Sequence, residues 1–202
     1  MLIPLDYLVL KYSLKLTGII HVGAHECEET VVYDKYITSD KVVWIEALPD
    51  KVEFCKNKYP GVLIENAVVS DCVESVVFHR ADNGQSSSFL EFGTHLIQHP
   101  GTHYVSEFEV MTQRLDSILE KYIMPFNFVN LDIQGAELRA LKGMESYLNS
   151  IEYVYTEVNS DHVYKECCLV TELDEYLGQF GFKRVETSWC GRWGDAFYIK
   201  QD

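Results

Sequence analysis

The sequence predicts an α/β fold: a mostly parallel sheet with helices on both faces, ending in an antiparallel hairpin. Three observations carry this. Short, nearly continuous apolar runs alternate with helical patterns along the chain, as expected for parallel strands buried on both faces. The last two runs have no helix between them, so they must pair antiparallel. The 202 residues, 47% apolar and 24% charged, have the size and usage of one globular domain, and no repeat, linker or low-complexity stretch divides them.

The elements follow in order. Residues 1–17 read as an N-terminal amphipathic helix, because Asp6, Lys11 and Lys15 interrupt its apolar side; the same charges argue against a secretory signal. Thr17 to Val22 is the first strand and Glu28 to Tyr36 a helix. Lys41 to Glu46 is the second strand, and Asp50 to Lys58 a helix with Asp50 as its cap. Val62 to Val68 is the third strand. Residues 75–113 depart from the alternation, with strand-like pieces at Val76 to His79 and Phe108 to Thr112 around a polar loop. We read them as an irregular insertion on the acceptor side of the site. Phe126 to Leu131 is a strand, Ala136 to Leu148 a helix with leucines at helical spacing, Glu152 to Val158 a strand and Leu169 to Gln179 a helix. Phe182 to Thr187 and Ala196 to Lys200 form the closing hairpin around Cys190–Gly194.

Charge and cysteine usage exclude several functions. Lys and Arg total 17 against 31 Asp and Glu, a net charge of −14. Such a chain is a poor non-specific partner for nucleic acid or an anionic membrane, but it still tolerates a cationic ligand or a neutral sugar. No apolar run reaches the length of a membrane span. The cysteines at 27, 55, 72, 167, 168 and 190 contain no C-x-x-C pair. We read them as reduced thiols, with a cytoplasmic location as the expectation.

In an open doubly wound sheet, ligands bind beyond the carboxyl ends of the strands. After the first strand come Gly23, Ala24 and His25; glycine there permits a sharp turn and close ligand approach, although an ordinary strand–helix turn fits equally. Glu46 ends the second strand, about 20 residues past Gly23, the spacing at which a carboxylate meets ribose hydroxyls. Together the two suit a mononucleoside better than a dinucleotide, because no glycine cradle serves a pyrophosphate. After the third strand, Asn66 either meets the edge of a base or caps a turn, with Ala67 beside it. Asp132 closes the fourth strand; Glu157 and Asn159 close the fifth, with His162 close behind. His95, His99 and His103 have the i, i+4, i+8 spacing of a metal-binding helical face. Pro100–Gly101 breaks that helix, so we read a polar loop over the mouth of the site rather than a zinc centre.

The run Val129-Asn130-Leu131-Asp132-Ile133-Gln134-Gly135-Ala136-Glu137, followed by Ala140-Leu141-Lys142-Gly143, closely resembles the signature of the FkbM family of S-adenosylmethionine-dependent methyltransferases. Gly23-Ala24, Glu46-Ala47-x-Pro49, the serines at 86–88, Arg114-Leu115-Asp116 and Gly194-Asp195-Ala196 support it. The resemblance spans about Gly18 to Lys200. It departs from the family at His21, where Asp is usual, and at Cys27, where Gly is usual. It implies a Rossmann-like class I methyltransferase fold with a seven-stranded sheet, within a single domain over residues 1–202. It further implies S-adenosylmethionine as cofactor, held by Gly23, Ala24, His25, Glu46, Asn66, Ala67, Ser87 and Asp132. The implied reaction is O-methylation of a sugar or glycan hydroxyl, by the chain alone or as a domain of a longer glycan-processing enzyme.

A sugar hydroxyl is a very weak acid and needs a proton acceptor or a metal ion. Asp132, Glu157 and His162 are the candidates for the first role. Asp132, Glu157 and Asn159 are hard oxygen donors that could instead hold Mg²⁺ or Mn²⁺. Two rival readings remain at this stage. A nicotinamide oxidoreductase explains Gly23 and Glu46 but not the missing glycines or the closing hairpin. A non-catalytic nucleoside- or glycan-binding module explains the fold but has no need of Asp132 and Glu157 together.

Overall fold

Seven strands form the central sheet of the computed structural model, which describes residues 1–201. α1 (Leu5–Tyr12) leads into β1 (Ile19–Val22), α2 (Thr30–Tyr33), β2 (Val42–Glu46), α3 (Pro49–Lys58), β3 (Leu63–Asn66) and β4 (Val68–Val69). β5 (Ser75–Ala81), α4 (His95–Gln98), β6 (Tyr104–Gln113) and α5 (Leu115–Leu119) follow. The chain closes with β7 (Phe128–Leu131), α6 (Glu137–Lys142), β8 (Tyr153–Asn159), α7 (Val170–Gly178), β9 (Phe182–Cys190) and β10 (Trp193–Lys200). The sheet order is β3-β2-β1-β7-β8-β10-β9. All pairs are parallel except β8–β10 and β10–β9, so the expected parallel sheet and antiparallel ending are both present.

Alternation along each strand divides the core in two. Ile20, Val22, Val43, Ile45, Val129 and Leu131 pack with Leu119, Leu141 and Leu177 from α5, α6 and α7. Ile19, Val42, Trp44 and Phe128 face the other way, onto Leu5 and Leu8 of α1, Tyr33 of α2 and Val52 of α3. Each fully buried aliphatic side chain contributes about 1.5–3 kcal/mol, and the period-two pattern fixes which residues face which layer.

Several boundaries differ from the sequence reading. The N-terminal helix covers only Leu5–Tyr12, ending where Ser13 takes a left-handed φ of 54°. The helix expected from Glu28 is a single turn, Thr30–Tyr33. Asp50 does not cap α3: Leu48 takes that position, Pro49 opens the helix, and Asp50 binds Arg80 through both oxygens. The helix expected over Ala136 to Leu148 stops at Lys142 and resumes as a 3-10 turn, Glu145–Tyr147. Gly143 sits between them, where a Cβ would lie 2.4 Å from the Ser70 carbonyl oxygen.

Residues 75–113 are more regular than their sequence pattern indicates. β5 and β6 form a long antiparallel pair from Ser75↔Met111 to Ala81↔Tyr104. β4, expected to continue the third strand, joins β6 instead, giving a second, three-stranded sheet. The connection between β5 and β6 remains largely irregular and carries α4. Among the described residues no helix is long and apolar enough to cross a membrane.

Candidate active site

The chain runs outward from β1 to β3, then returns to place β7 and β8 on the other side of β1. The ends of β1 and β7 therefore diverge, as at the switch point where open α/β sheets bind ligands. A cleft of about 460 Å³ opens there, reached by residues from β1, β2, β7, β8 and β10 and from the β5–β6 connection.

The turn after β1 is built on Gly23, whose φ is 92° and where a Cβ would lie 1.9 Å from the Asp132 carbonyl oxygen. No L-residue with a side chain fits both constraints. Gly23 and Ala24 donate their N–H groups to the Ile45 carbonyl, 2.9 and 3.0 Å away, tying the turn to β2. His25 follows in the left-handed region, φ 43°, as does Cys27, φ 54°. Cys27 thus holds a conformation that favours glycine, the residue the resemblance leads one to expect there.

Glu46 is buried at the end of β2. One carboxylate oxygen accepts the N–H of His25 at 2.7 Å, the other that of Leu48 at 2.8 Å. Burial raises its pKa against the opposing pull of these bonds. Ala67 lines the cleft beyond it, as do Gly23, His25, Glu46 and Ser87. Ala24 and Asn66 do not. Asn66 is exposed, and its amide donates to the carbonyls of Glu46 and Ala47, both at 2.9 Å. It fixes the strand end that presents the carboxylate.

A row of polar side chains crosses the sheet below the cleft. Trp44, His21, Asn130 and Tyr155 are successive partners on β2, β1, β7 and β8. The His21 ring stacks on Trp44 at 4.5 Å. Tyr33 accepts from Asn130 at 2.9 Å, leaving its proton for His21 Nδ1 at 3.0 Å. Burial lowers the pKa of His21 to about 3, so a neutral ring stands where the resemblance leads one to expect a carboxylate.

The carboxylates lie one step further along the same strands. Glu157 pairs in register with Asp195 of β10, and Asp132 follows Leu131, the partner of Thr156. The Gln134 amide donates to both Asp132, at 2.7 Å, and Glu157, at 2.9 Å. Gln134 is held in the left-handed region, φ 58°, by Tyr164, which donates to its side-chain oxygen at 2.8 Å, and by Ser88, which donates to its carbonyl. Asp195 accepts from Tyr155 and from the Leu2 N–H. Glu137, fully buried, accepts the N–H groups of Ile133 and Gly135, both at 3.1 Å, and so secures the loop carrying Asp132 and Gln134.

These charges perturb one another. Burial, then the neighbouring Asp132, Glu137 and Asp195, push Glu157 well above the usual carboxylate range. Asp132 opens into the cleft, yet the protein around it and then Asp195 raise it to about 6. Burial raises Glu137 to about 7. A cleft with such groups can take up a proton near neutral pH and attracts a cation.

Two candidate residues lie apart from this centre. His162 is exposed and off the cleft wall, donating from Nδ1 to the Cys167 carbonyl at 3.2 Å. Asn159 is fully buried, with neither amide atom hydrogen-bonded, and it is also off the wall. His95 and His99 do line the cleft, where sequence reading placed a polar loop. Burial lowers His95 to about 4, leaving it neutral, and its Nδ1 is buried without a partner. Gln134, Glu137 and Tyr155 were missed as site residues. The signal was present: a Gln before Gly in a strand-to-helix turn, and a Glu and a Tyr within apolar runs.

Solved structures with the same fold are methyltransferases. A ribosomal protein L11 methylase from Lactobacillus delbrueckii subsp. bulgaricus superposes with a TM-score of 0.54 at 10% identity, covering 96% of this chain and 75% of that one. An S-adenosylmethionine-dependent methyltransferase from Clostridium acetobutylicum gives 0.54 at 5% identity, covering 98% and 89%. No curated protein sequence matches the chain. The fold is thus that of the Rossmann-like S-adenosylmethionine-dependent methyltransferases. The model of the methyltransferase FkbM domain matches residues 21–184, and the chain belongs to that family.

The donor set suits the cofactor. S-adenosylmethionine carries a cationic sulfonium and a ribose, and the cleft offers Glu46, Asp132, Glu157 and Asp195 with no Lys or Arg among its lining residues. The same set would repel a pyrophosphate.

Proposed function

We propose that this protein is an O-methyltransferase that methylates a hydroxyl of a sugar or glycan, acting as one methyltransferase domain. The observation that carries the reading is the Asp132–Gln134–Glu157 arrangement at the edge where β7 and β8 end, in a cleft whose other wall is rich in hydroxyl and amide groups from the β5–β6 connection.

When bound, S-adenosylmethionine supplies an electrophilic methyl whose bonding electrons stay on sulfur as the methyl passes to an acceptor oxygen. Glu46 would accept the ribose hydroxyls, and Gly23 and His25 would present the backbone that follows. Ala24 and Asn66 act indirectly, by holding that backbone in place. Ala67, with Val68 and Phe78, would form the apolar wall for the base. Asp132 faces both ligands.

The chain's own work is to orient the acceptor hydroxyl and take its proton. Asp132 and Glu157 are the groups for this: Asp132, raised to about 6, is a base close to the working pH, and Glu157 shares the Gln134 amide with it. Ser87, Gln85 and Asn83 on the opposite wall suit hydroxyl recognition; Ser87 already accepts the Ala81 N–H at 3.0 Å. A divalent ion, Mg²⁺ or Mn²⁺, would have to bind between Asp132 and Glu157, where the Gln134 amide now sits. Among the described residues no three His, Cys, Asp or Glu side chains are grouped as a metal site. We therefore favour direct proton transfer to a carboxylate. Because His162 lies off the cleft wall, we assign it no proton transfer.

The test is incubation with isotope-labelled S-adenosylmethionine and a panel of simple glycosides, followed by mass spectrometry. The expected result is a labelled glycoside and an equal amount of S-adenosylhomocysteine. Label that reaches no glycoside, with cofactor still bound, would refute the acceptor class.

A further inference from the structure

His95 opens α4, in the connection between β5 and β6, and lines the cleft although it is only 5% exposed. Its Nδ1 has no hydrogen-bond partner within the protein. Burial, and then the neighbouring His99, keeps the ring neutral. A buried polar atom without a partner loses its hydration with nothing returned, and such atoms are few in folded proteins.

The fold holds this side chain firmly all the same. The backbone N–H groups of His95 and Gly93 donate to the Val163 carbonyl at 3.0 and 2.9 Å, and that of Thr94 donates to the His162 carbonyl at 2.9 Å. The segment is thereby tied to the loop after β8. A Cβ at Gly93 would lie 2.2 Å from the His162 carbonyl oxygen, so the approach requires glycine. Further along α4, the Gln98 amide donates to the Cys190 carbonyl at 3.1 Å, and its side-chain oxygen accepts the Arg192 N–H at 3.0 Å. These bonds join α4 to the turn between β9 and β10. The His95 ring lies flat against Phe92, with centroids 4.5 Å apart and planes 10° from parallel, and Tyr164 stands 5.4 Å away. A half-turn about Cβ–Cγ keeps the ring in that plane and exchanges Nδ1 with Cδ2, so the stack does not fix which edge carries the unpaired nitrogen. Backbone and ring plane are set before any ligand arrives, as in a preorganised binding group, and only the nitrogen lacks its partner.

Tyr164 relates His95 to the carboxylates. Its hydroxyl donates to Gln134, whose amide holds Asp132 and Glu157, so His95 stands one aromatic ring away from that centre. Trp193 lines the cleft too and packs, like Phe92, on the apolar cluster that contains Tyr164. We propose that His95 is an acceptor-binding residue that hydrogen-bonds a second hydroxyl of the sugar, while the hydroxyl to be methylated lies at Asp132 and Glu157. This rests on the sugar-hydroxyl reading above. A neutral imidazole has one donor and one acceptor nitrogen, and a hydroxyl both donates and accepts, so the pair forms in either tautomer. The acceptor class narrows to polyhydroxylated compounds, in which one hydroxyl reacts and another is read. An acceptor without the second hydroxyl leaves the histidine unpaired and is disfavoured for that reason.

The experiment starts from methyl glucoside, methyl mannoside and methyl galactoside, takes the one turned over fastest and maps its methylated position by NMR. Its monodeoxy analogues at the other positions are then compared with it in kcat/KM, using the wild-type protein and His95→Phe. With the wild type, at least one analogue should fall roughly 10- to 100-fold below the parent. His95→Phe should lower the parent by a similar factor and leave that analogue within about threefold of its wild-type value, the non-additivity of two partners in contact. Phenylalanine preserves the stack on Phe92, so S-adenosylhomocysteine binding should be unchanged. Removing an unpaired buried nitrogen should not lower the ligand-free melting temperature; a lowered one would mark the histidine as structural and count against the proposal. His95→Leu serves the same comparison if the phenylalanine variant does not bind S-adenosylhomocysteine. An equal loss for the parent and every analogue, or no loss at all, would overturn the role of His95 and leave sugar O-methylation standing. Absence of turnover with all three glycosides would overturn both.

Discussion

Glu157 and Asp195 stand directly opposite each other on β8 and β10, two carboxylates in register at the edge of the site. Like charges so placed destabilise a sheet. The fold keeps them because the surrounding core is extensive and because Gln134 and Tyr155 donate to them. The consequence is a measurable dependence of stability on pH.

The sign follows from the direction of the shifts. Glu157 is raised well above its ordinary pKa, Asp132 to about 6 and Glu137 to about 7. Groups raised on folding stabilise the protein when protonated, and that contribution is lost as pH rises through their folded values. The ligand-free protein should therefore melt at a lower temperature at about pH 8 than at about pH 5, the three raised carboxyls outweighing the buried neutral His21 and His95, which act in the opposite sense over this range. Glu157→Gln should raise the melting temperature at the higher pH and flatten the profile. A melting temperature that rises steadily over this range would contradict the charge description.

Cofactor affinity should depend on Glu46. Its two oxygens already hold the backbone of His25 and Leu48, so it is fixed in place before ligand arrives. Glu46→Ala should weaken S-adenosylhomocysteine binding by roughly 1–3 kcal/mol, the value of a charge-assisted hydrogen bond. Calorimetry is the measurement, and equal affinity would remove Glu46 from the ribose role.

Asp132 and Glu157 should dominate turnover. One of Asp132→Asn or Glu157→Gln should reduce kcat by roughly 10²–10⁴-fold, the range of general-base assistance, while His162→Gln should change it little. Excess chelator should leave the rate unchanged. Activity lost to chelator and restored by Mg²⁺ or Mn²⁺ would instead establish the metal version.

Gly23→Ala should be among the most damaging small substitutions. The new methyl group would meet the Asp132 carbonyl in a backbone conformation of φ 92°. A strained backbone alone costs about 1–3 kcal/mol, and the steric conflict adds to it. Thermal melts should show a loss of at least that size, accompanied by weaker cofactor binding.

Much of the fold was legible because burial on both faces writes itself into unbroken apolar runs such as Val42–Ile45 and Phe128–Leu131. The breaks were less legible. Val68–Val69 reads as a continuation of β3, but only the tertiary partner β6 shows that it belongs to another sheet. Gly143 carries no local signal that the Ser70 carbonyl stands against it. In the site, Gly23, Glu46 and Asp132 could be found because each ends or follows a strand. His162 could not be told from His95, since their difference lies in which loop folds over the cleft. Asp195 was visible only as part of a family motif, because its partners Tyr155 and Glu157 are about 40 residues away and meet it by register alone.

The central claim is that the carboxylate edge of this sheet activates a sugar hydroxyl. It is tested most directly by NMR of the product formed from methyl-labelled S-adenosylmethionine and a simple glycoside. The wild-type protein should place label on a sugar oxygen, and Asp132→Asn combined with Glu157→Gln should place none, although that variant still binds S-adenosylhomocysteine. No label on any sugar oxygen while cofactor is bound, or undiminished oxygen methylation by the double variant, would contradict it.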